Sequence, residues 1–418
     1  MLTPMGAETL PLMRVLDGFL TAAQQDRFSA LCPRQTYVVK LKNYLRLLPE
    51  TPGGWTSMLW DRLPPKIISK MRKGRADLLL DYTHESALLP GRDTRADLAA
   101  MYDLMARLKI PPNQIILATA NAAAAEVHDR IARELGVPAP MRVWSSDFGL
   151  AFSLLATREE EEAGRSDPPW NPPAGGLKDG TLKHFLFLNR KVKPPRVAVL
   201  LTLAARVGLD KAYVSMLGDG RSKDREAFVH LLQRGRVEAA EYPDREAWDR
   251  AIDALMDRFP IALAEDVRHA SVWDYSFRPL DRRYYGASAI SLVSETLMGD
   301  RDSLVITEKT FKPIWNGHPF IVIGDVGTLE QLRRLGFRTF GPTIDEGYDG
   351  IADYRSRLEA IRREVERIGA FDQAQLADAR RRMAEAVEHN HRHVRGEFRI
   401  RFTRTIMDDW ERIARQGG

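Results

Sequence analysis

Cysteine is almost absent from this sequence: among its 418 residues only Cys32 is one. No disulfide can close within the chain, so nothing implies an oxidising compartment and a reduced cytoplasm is expected. Long apolar runs are lacking as well. No segment reaches the roughly 18 apolar residues of a spanning helix. Residues 1–25 have neither the basic start nor the apolar stretch of a leader, so no export by a standard signal and no integral membrane contact are expected. Charge of one sign is scarce: 62 basic and 57 acidic residues leave a formal +5. That excess by itself does not imply nucleic acid.

Several catalytic signatures are also missing. There is no Gly-x-x-x-x-Gly-Lys-Ser/Thr loop, no Gly-x-Ser-x-Gly elbow and no Gly-x-Gly-x-x-Gly after a strand. "LGDGRSKD" (217–224) has two glycines but not the third, and reads as a plain βα loop. No metal site is expected. "DRD" (300–302) precedes an apolar run rather than ending one and reads as a turn. The three histidines of "HNHRH" (389–393) would face different sides of a helix, and no carboxylate spacing accompanies them.

With 44% hydrophobic and 28% charged residues, the chain has the balance of a globular protein and the length for two domains. The clearest break is "REEEEAGRSDPPWNPPAGGLKDG" (158–180), an acidic run followed by four prolines and four glycines, read as a linker or long loop. Before it, "QTYVVKL", "ADLLLDY", "QIILATA" and "MRVWSS" are strand-like and alternate with helical stretches. After it the rhythm returns with "HFLFLNR", "AYVSML", "SAISLVS", "SLVITEK" and "PFIVIGD". This alternation predicts parallel α/β domains over 1–175 and 181–352. Residues 353–418 are read as packing helices, the first with an apolar stripe of Leu358, Ile361, Val365 and Ile368.

Ligands of open parallel sheets bind beyond the carboxyl ends of the strands, where the next helix offers free N–H groups and a partial positive charge. If "SLVITEK" is a strand and "TFKPIWNG" the following helix, Thr307, Glu308 and Lys309 stand at such a place. "FLFLNR" ends likewise on Asn189 and Arg190, and "AISLVSE" on Ser294 and Glu295. Lysine and arginine suit a diphosphate, and carboxylates suit sugar hydroxyls. The surrounding stretch 181–200 holds Lys183, Arg190, Lys191, Lys193 and Arg196 without an acid, which fits an anionic partner or a solvated basic loop.

"FLFLNRKVKPPRVAVL", "ISLVSET", "ITEKTFKPIWNGHPFIVIGD" and "LRRLGFRTFGPTIDEGYD" together resemble the donor half of two-domain GT-B glycosyltransferases, nearest to the α1,3-fucosyltransferase type and related bacterial and phage proteins. The resemblance covers about 184–350 and leaves the N-terminal half unmatched. It implies two Rossmann-like domains facing a cleft. It also implies a nucleotide-diphosphate sugar as co-substrate, no further cofactor, Lys309 and Arg190 on the diphosphate, and Glu308 and Glu295 near the ribose or transferred sugar.

An inverting transferase needs a base for the acceptor hydroxyl. The stretch "LLLDYTHES" supplies the candidates Glu85 and His84, with Asp81 ending the strand; carboxylate bases are usual in the resembled family, and a histidine titrates in the right range. Asn121 is a further candidate for acceptor contact. The expected acceptor is a hydroxyl on a surface glycan. A second reading stays open, motivated by a pI near 9.2: a nucleic-acid binder, or a transferase acting on modified DNA bases.

Overall fold

The structure, a computed structural model, describes residues 2–4, 11–31, 34–40, 63–83, 94–162, 182–218, 222–238, 244–263, 282–299 and 302–416. Two wholly parallel sheets form within them. The first runs in the order β1 (Leu2–Pro4), β2 (Gln35–Lys40), β3 (Ala76–Tyr82), β4 (Ile115–Thr119) and β5 (Arg142–Ser145). The second has four strands: β6 (Lys183–Asn189), β7 (Ala212–Met216), β8 (Ser288–Ser294) and β9 (Phe320–Ile323), in the order β7-β6-β8-β9. The expected pair of parallel α/β sheets followed by C-terminal helices is therefore observed. β1 was not expected; three residues ending in proline carry little strand signal, and only an edge position tolerates them.

The central strands are buried along their whole length. β3, β4 and β8 show no exposed residue, as expected of strands covered by crossover helices on both faces. Helices Thr94–Leu108 and Ala124–Glu134 make the crossovers from β3 to β4 and from β4 to β5. Leu98, Met101 and Met105 of the former and Val127 and Ile131 of the latter pack into one core with Leu78, Leu80, Ile115 and Leu117.

Two compact units divide the chain differently from the sequence reading. The first comprises Met1–Leu155, Gly299–Ile306 and Arg399–Gly418; the second Ala156–Met298 and Thr307–Phe398. The acidic run "EEEE" is helical, since helix Phe148–Glu162 reaches its last glutamate; the rest of the presumed linker lies outside the described residues. The C-terminal helices are not a third segment. Helices Tyr354–Gly369 and Gln373–Arg395 belong to the second unit, and nearly all of helix Glu397–Arg415 returns to the first.

Aromatic packing explains that return. Trp410 stacks on Phe28 with centroids 4.5 Å apart, lies 5.2 Å from Trp144, and donates its indole N–H to the Phe28 carbonyl at 3.0 Å. Phe402 meets Phe19 edge-on at 5.3 Å. Each such ring pair contributes about 0.5–1.5 kcal/mol beyond its buried area.

A second correction concerns "SLVITEK". It is not a strand: Ser303–Thr307 joins no ladder, and the unit boundary falls between Ile306 and Thr307. β8 is already flanked by β6 and β9. Leu304 satisfies its backbone outside any sheet, its N–H donating to Asn121 Oδ1 at 2.9 Å and its carbonyl accepting from the Ala122 N–H at 2.8 Å. Burial made this stretch apolar, and no strand pairing was needed.

Candidate functional site

In the second sheet the chain steps from β6 to β7 on one side and later to β8 on the other. The carboxyl ends of β6 and β8 are therefore a topological switch point, where parallel sheets open a crevice for ligands. The register pairs Leu186 with Ser291, so Asn189 and Ser294, each three residues further on, end their strands at the same level.

At that edge Glu295 is fully buried and faces protein donors. One carboxylate oxygen accepts from the Thr307 N–H at 3.1 Å and the Thr310 hydroxyl at 2.6 Å, and the other accepts from the Thr307 hydroxyl. Thr307 in turn is the N-cap of helix Glu308–Trp315, its Oγ1 accepting from the Lys309 N–H at 3.3 Å. Glu295 thus pins the start of this helix to the end of β8. His318 pins the other end. Its Nε2 donates to the Ser288 carbonyl and its Nδ1 accepts from the Ser291 hydroxyl, both at 2.9 Å, and burial pushes its pKa down to about 3. Gly317, at φ 60°, supplies the left-handed turn that brings the histidine back under the helix.

Lys309 and Glu308 are half-buried at the helix N-terminus and paired at 2.7 Å. The Lys309 ammonium also donates to Thr296 Oγ1 at 3.1 Å and Thr307 Oγ1 at 3.2 Å. Burial alone would raise the Glu308 carboxyl, but Lys309, Lys312 and the hydrogen bond from Lys309 together hold it below its ordinary value. Lys312 lies one turn on, and burial lowers its pKa to about 8 although Glu308 opposes the shift.

Arg196 is the residue that the sequence reading named only as part of a basic stretch. It is buried, at 3% exposure, one turn into helix Pro194–Thr202. Its guanidinium donates to the carbonyls of Lys191 at 3.0 Å, Ser294 at 3.2 Å and Glu295 at 3.3 Å. Burial lowers its pKa, with Glu295 and Glu308 opposing. Lys193 donates to the Thr296 carbonyl at 2.6 Å. The loop after β6 and the end of β8 are thus tied by two cations. An arginine placed just behind Pro194 and Pro195 was the available signal.

Asn189 is buried at the end of β6, its N–H donating to Ser215 Oγ at 3.2 Å, while its Nδ2 has no hydrogen-bond partner among the described residues. The carbonyl of the next residue, Arg190, accepts from the Gly218 N–H at 2.7 Å.

No protein-family model and no curated protein matches this chain. Among solved structures the chain is similar to an alpha,alpha-trehalose-phosphate synthase (UDP-forming) from Burkholderia vietnamiensis, at a TM-score of 0.45 and 10% identity over 97% of this chain and 77% of that one.

Of the acceptor-side candidates, His84 and Glu85 lie outside the described residues. Asp81 is described and is occupied. Its carboxylate accepts from the Leu12 N–H at 3.0 Å, at the start of helix Pro11–Phe19, and from the Thr83 N–H at 3.1 Å and hydroxyl at 2.7 Å. Asn121 is likewise a fastener: its Nδ2 donates to the Asp302 carbonyl at 3.1 Å, and its Oδ1 accepts from the N–H groups of Leu304 and Ala123.

The histidine cluster serves a helix end. His389 and His393 each donate from Nε2, at 2.9 Å, to the carbonyls of Gly336 and Leu335, which follow helix Thr328–Arg334. Among the described residues no three histidine, cysteine or acidic side chains gather as metal ligands, and no helix is long and apolar enough to cross a membrane.

Proposed function

We propose that this chain is a GT-B glycosyltransferase that moves a sugar from a nucleotide-diphosphate sugar to a hydroxyl acceptor. The observation that carries this reading is the helix Glu308–Trp315, capped by Thr307 and bearing Lys309 in its first turn, at the switch-point edge of a parallel sheet. The N-terminal N–H groups of a helix, its dipole and an ammonium ion at one place suit a diphosphate. The sequence resemblance assigns the same lysine to that group.

In this reading the β-phosphate takes over donors that Lys309 now gives to Thr296, Thr307 and Glu308. Arg190 supplies the second cation, and both neutralise the charge that develops on the departing nucleoside diphosphate. This preorganised positive charge supports metal-independent transfer. Glu295 and Arg196 act on the substrate only through the segments they hold. An acceptor base from the stretch after Asp81, Glu85 or His84, would make the transfer inverting, and a surface glycan is the proposed acceptor.

The test is a thermal-shift screen against GDP, UDP, CDP, ADP and dTDP without added metal, repeated on Lys309→Ala. A ligand that binds only the folded state must raise its stability. A shift with one of these diphosphates that vanishes in the variant is expected. No shift with any of them, accompanied by one with duplex DNA that weakens steeply with salt, would transfer the case to the nucleic-acid reading.

A further inference from the structure

The Lys309 ammonium, on which the proposed diphosphate site rests, is already engaged. Three acceptors lie on it, as many as an ammonium group has donors: Glu308 Oε1 at 2.7 Å, Thr296 Oγ1 at 3.1 Å and Thr307 Oγ1 at 3.2 Å. Only the first of these carries charge. Its contact is also the shortest, as charge-assisted hydrogen bonds are.

The Glu308 carboxylate has few other ties. It accepts from Lys309 and from its own backbone N–H, at the first position of the helix, and no other described group bonds to it. Lys312, four residues on and on the same helix face, and the buried Arg196 both act on its charge. The carboxylate therefore lies where the proposed reading puts phosphate oxygens: on the Lys309 ammonium, at a helix N–H and in the field of two more cations. Its side chain is 28% exposed and can turn out into water. Glu295 cannot, being 1% exposed and held on both oxygens by Thr307 and Thr310.

Part of this arrangement has a simpler origin, since an acid in the first turn of a helix complements its dipole. The consequence is the same whatever its origin. A phosphate that reaches the ammonium either displaces Glu308 or lies beside it, and a carboxylate within a few ångströms of a phosphate opposes binding through like charge. In both cases the carboxylate competes with the ligand.

We propose that Glu308 is a competing anion built into the donor site: it holds Lys309 until a diphosphate turns it away from the ammonium. The inference rests on the diphosphate reading given above. It assigns Glu308 a different role from the ribose or sugar contact that the sequence resemblance implies. A diphosphate brings more charge and more acceptor oxygens than one carboxylate and can displace it, whereas a small monoanion gains little by the exchange. The contact thereby selects for the diphosphate, and it closes again over Lys309 once the nucleoside diphosphate leaves.

Calorimetric titration of the full chain at constant ionic strength tests this, with pyrophosphate and with GDP, UDP, CDP, ADP and dTDP, on the wild type, on Glu308→Gln and on Glu308→Gln combined with Lys309→Ala. Pyrophosphate has the diphosphate but neither ribose nor base, so it reports on the competition alone. Glutamine keeps the size of the side chain and removes its charge. Pyrophosphate and the nucleoside diphosphate that binds are both expected to bind Glu308→Gln at least about threefold more tightly than the wild type. Glu308→Ala, which also removes the charge, should shift affinity in the same direction, and the gain should vanish when Lys309→Ala is added. A nucleoside diphosphate that binds the wild type but binds Glu308→Gln no better overturns the inference while the diphosphate site stands. So does a gain that leaves pyrophosphate unchanged, or one that survives Lys309→Ala. Absence of binding by any of these ligands to the wild type and to Glu308→Gln removes the diphosphate site itself, and the inference with it.

Discussion

The clamp at Glu295 can be tested by removing one hydrogen-bonding atom at a time. Glu295 is 1% exposed and Thr310 fully buried, and three donors converge on the carboxylate. In Glu295→Gln one oxygen becomes an NH₂ group. If the remaining oxygen keeps the Thr307 N–H and the Thr310 hydroxyl, the NH₂ faces the Thr307 hydroxyl, which loses its acceptor. A hydrogen bond to a charged group contributes about 1.5–3 kcal/mol, so a loss of about 2 kcal/mol is expected. For a unit of this size that lowers the melting transition by about 4–8 °C. Thr310→Val keeps the shape and deletes one donor, at a cost of about 1–2 kcal/mol. Because the two side chains share one bond, the double variant should lose less than the sum, with a coupling of at least about 0.5 kcal/mol. The measurement is calorimetric unfolding of the wild type, both single variants and the double variant. Additive losses, or a Glu295→Gln melting temperature equal to that of the wild type, would refute the claim that this carboxylate holds the helix start. Nucleoside-diphosphate affinity should fall in Glu295→Gln as well, since Lys309 rides on the same turn.

Two further predictions concern protons and chain fastening. Lys312, with a pKa lowered to about 8 against 10.5 ordinarily, is deprotonated in the folded state where the unfolded state still holds its proton. Its contribution to stability therefore rises between pH 8 and pH 10.5. A bound diphosphate favours the ammonium form, so calorimetry near pH 8 in buffers of different ionisation enthalpy should register proton uptake that disappears in Lys312→Met; equal heats in all buffers would contradict this. Asn121→Ala removes three hydrogen bonds that fasten 302–304 and the turn after β4. Destabilisation by about 2–4 kcal/mol is expected, with faster proteolysis near Leu304; an unchanged denaturation midpoint would show that packing alone holds this segment.

The elements with a strong local pattern were legible in the sequence. "ADLLLDY" and "SAISLVS" form strands with the expected bounds, and "YRSRLEAIRREVERIG" forms the expected helix, because burial on both faces of a strand or one face of a helix writes a period into the residues. "SLVITEK" misled for the same reason, since burial leaves an apolar run whether or not a ladder forms. At the candidate site, Thr307, Glu308 and Lys309 were found as a helix start. The roles of Glu295 and Asn121 were not, as a carboxylate or amide that caps distant backbone looks in sequence like one that awaits a ligand.

Local chemistry therefore determined the strongly patterned helices and strands, and which residues end β6 and β8 in the second sheet. Only the tertiary structure decided that β6 sits between β7 and β8 and so makes a switch point of Asn189 and Ser294. It also decided that Arg196 is buried against the end of β8, and that Gly299–Ile306 and the last helix return to the first unit. Apart from the β6–β7 pairing, these outcomes depend on partners 98 to 382 residues away along the chain. No short-range pattern carries them, because the free energy that selects them comes from contacts between segments distant along the chain.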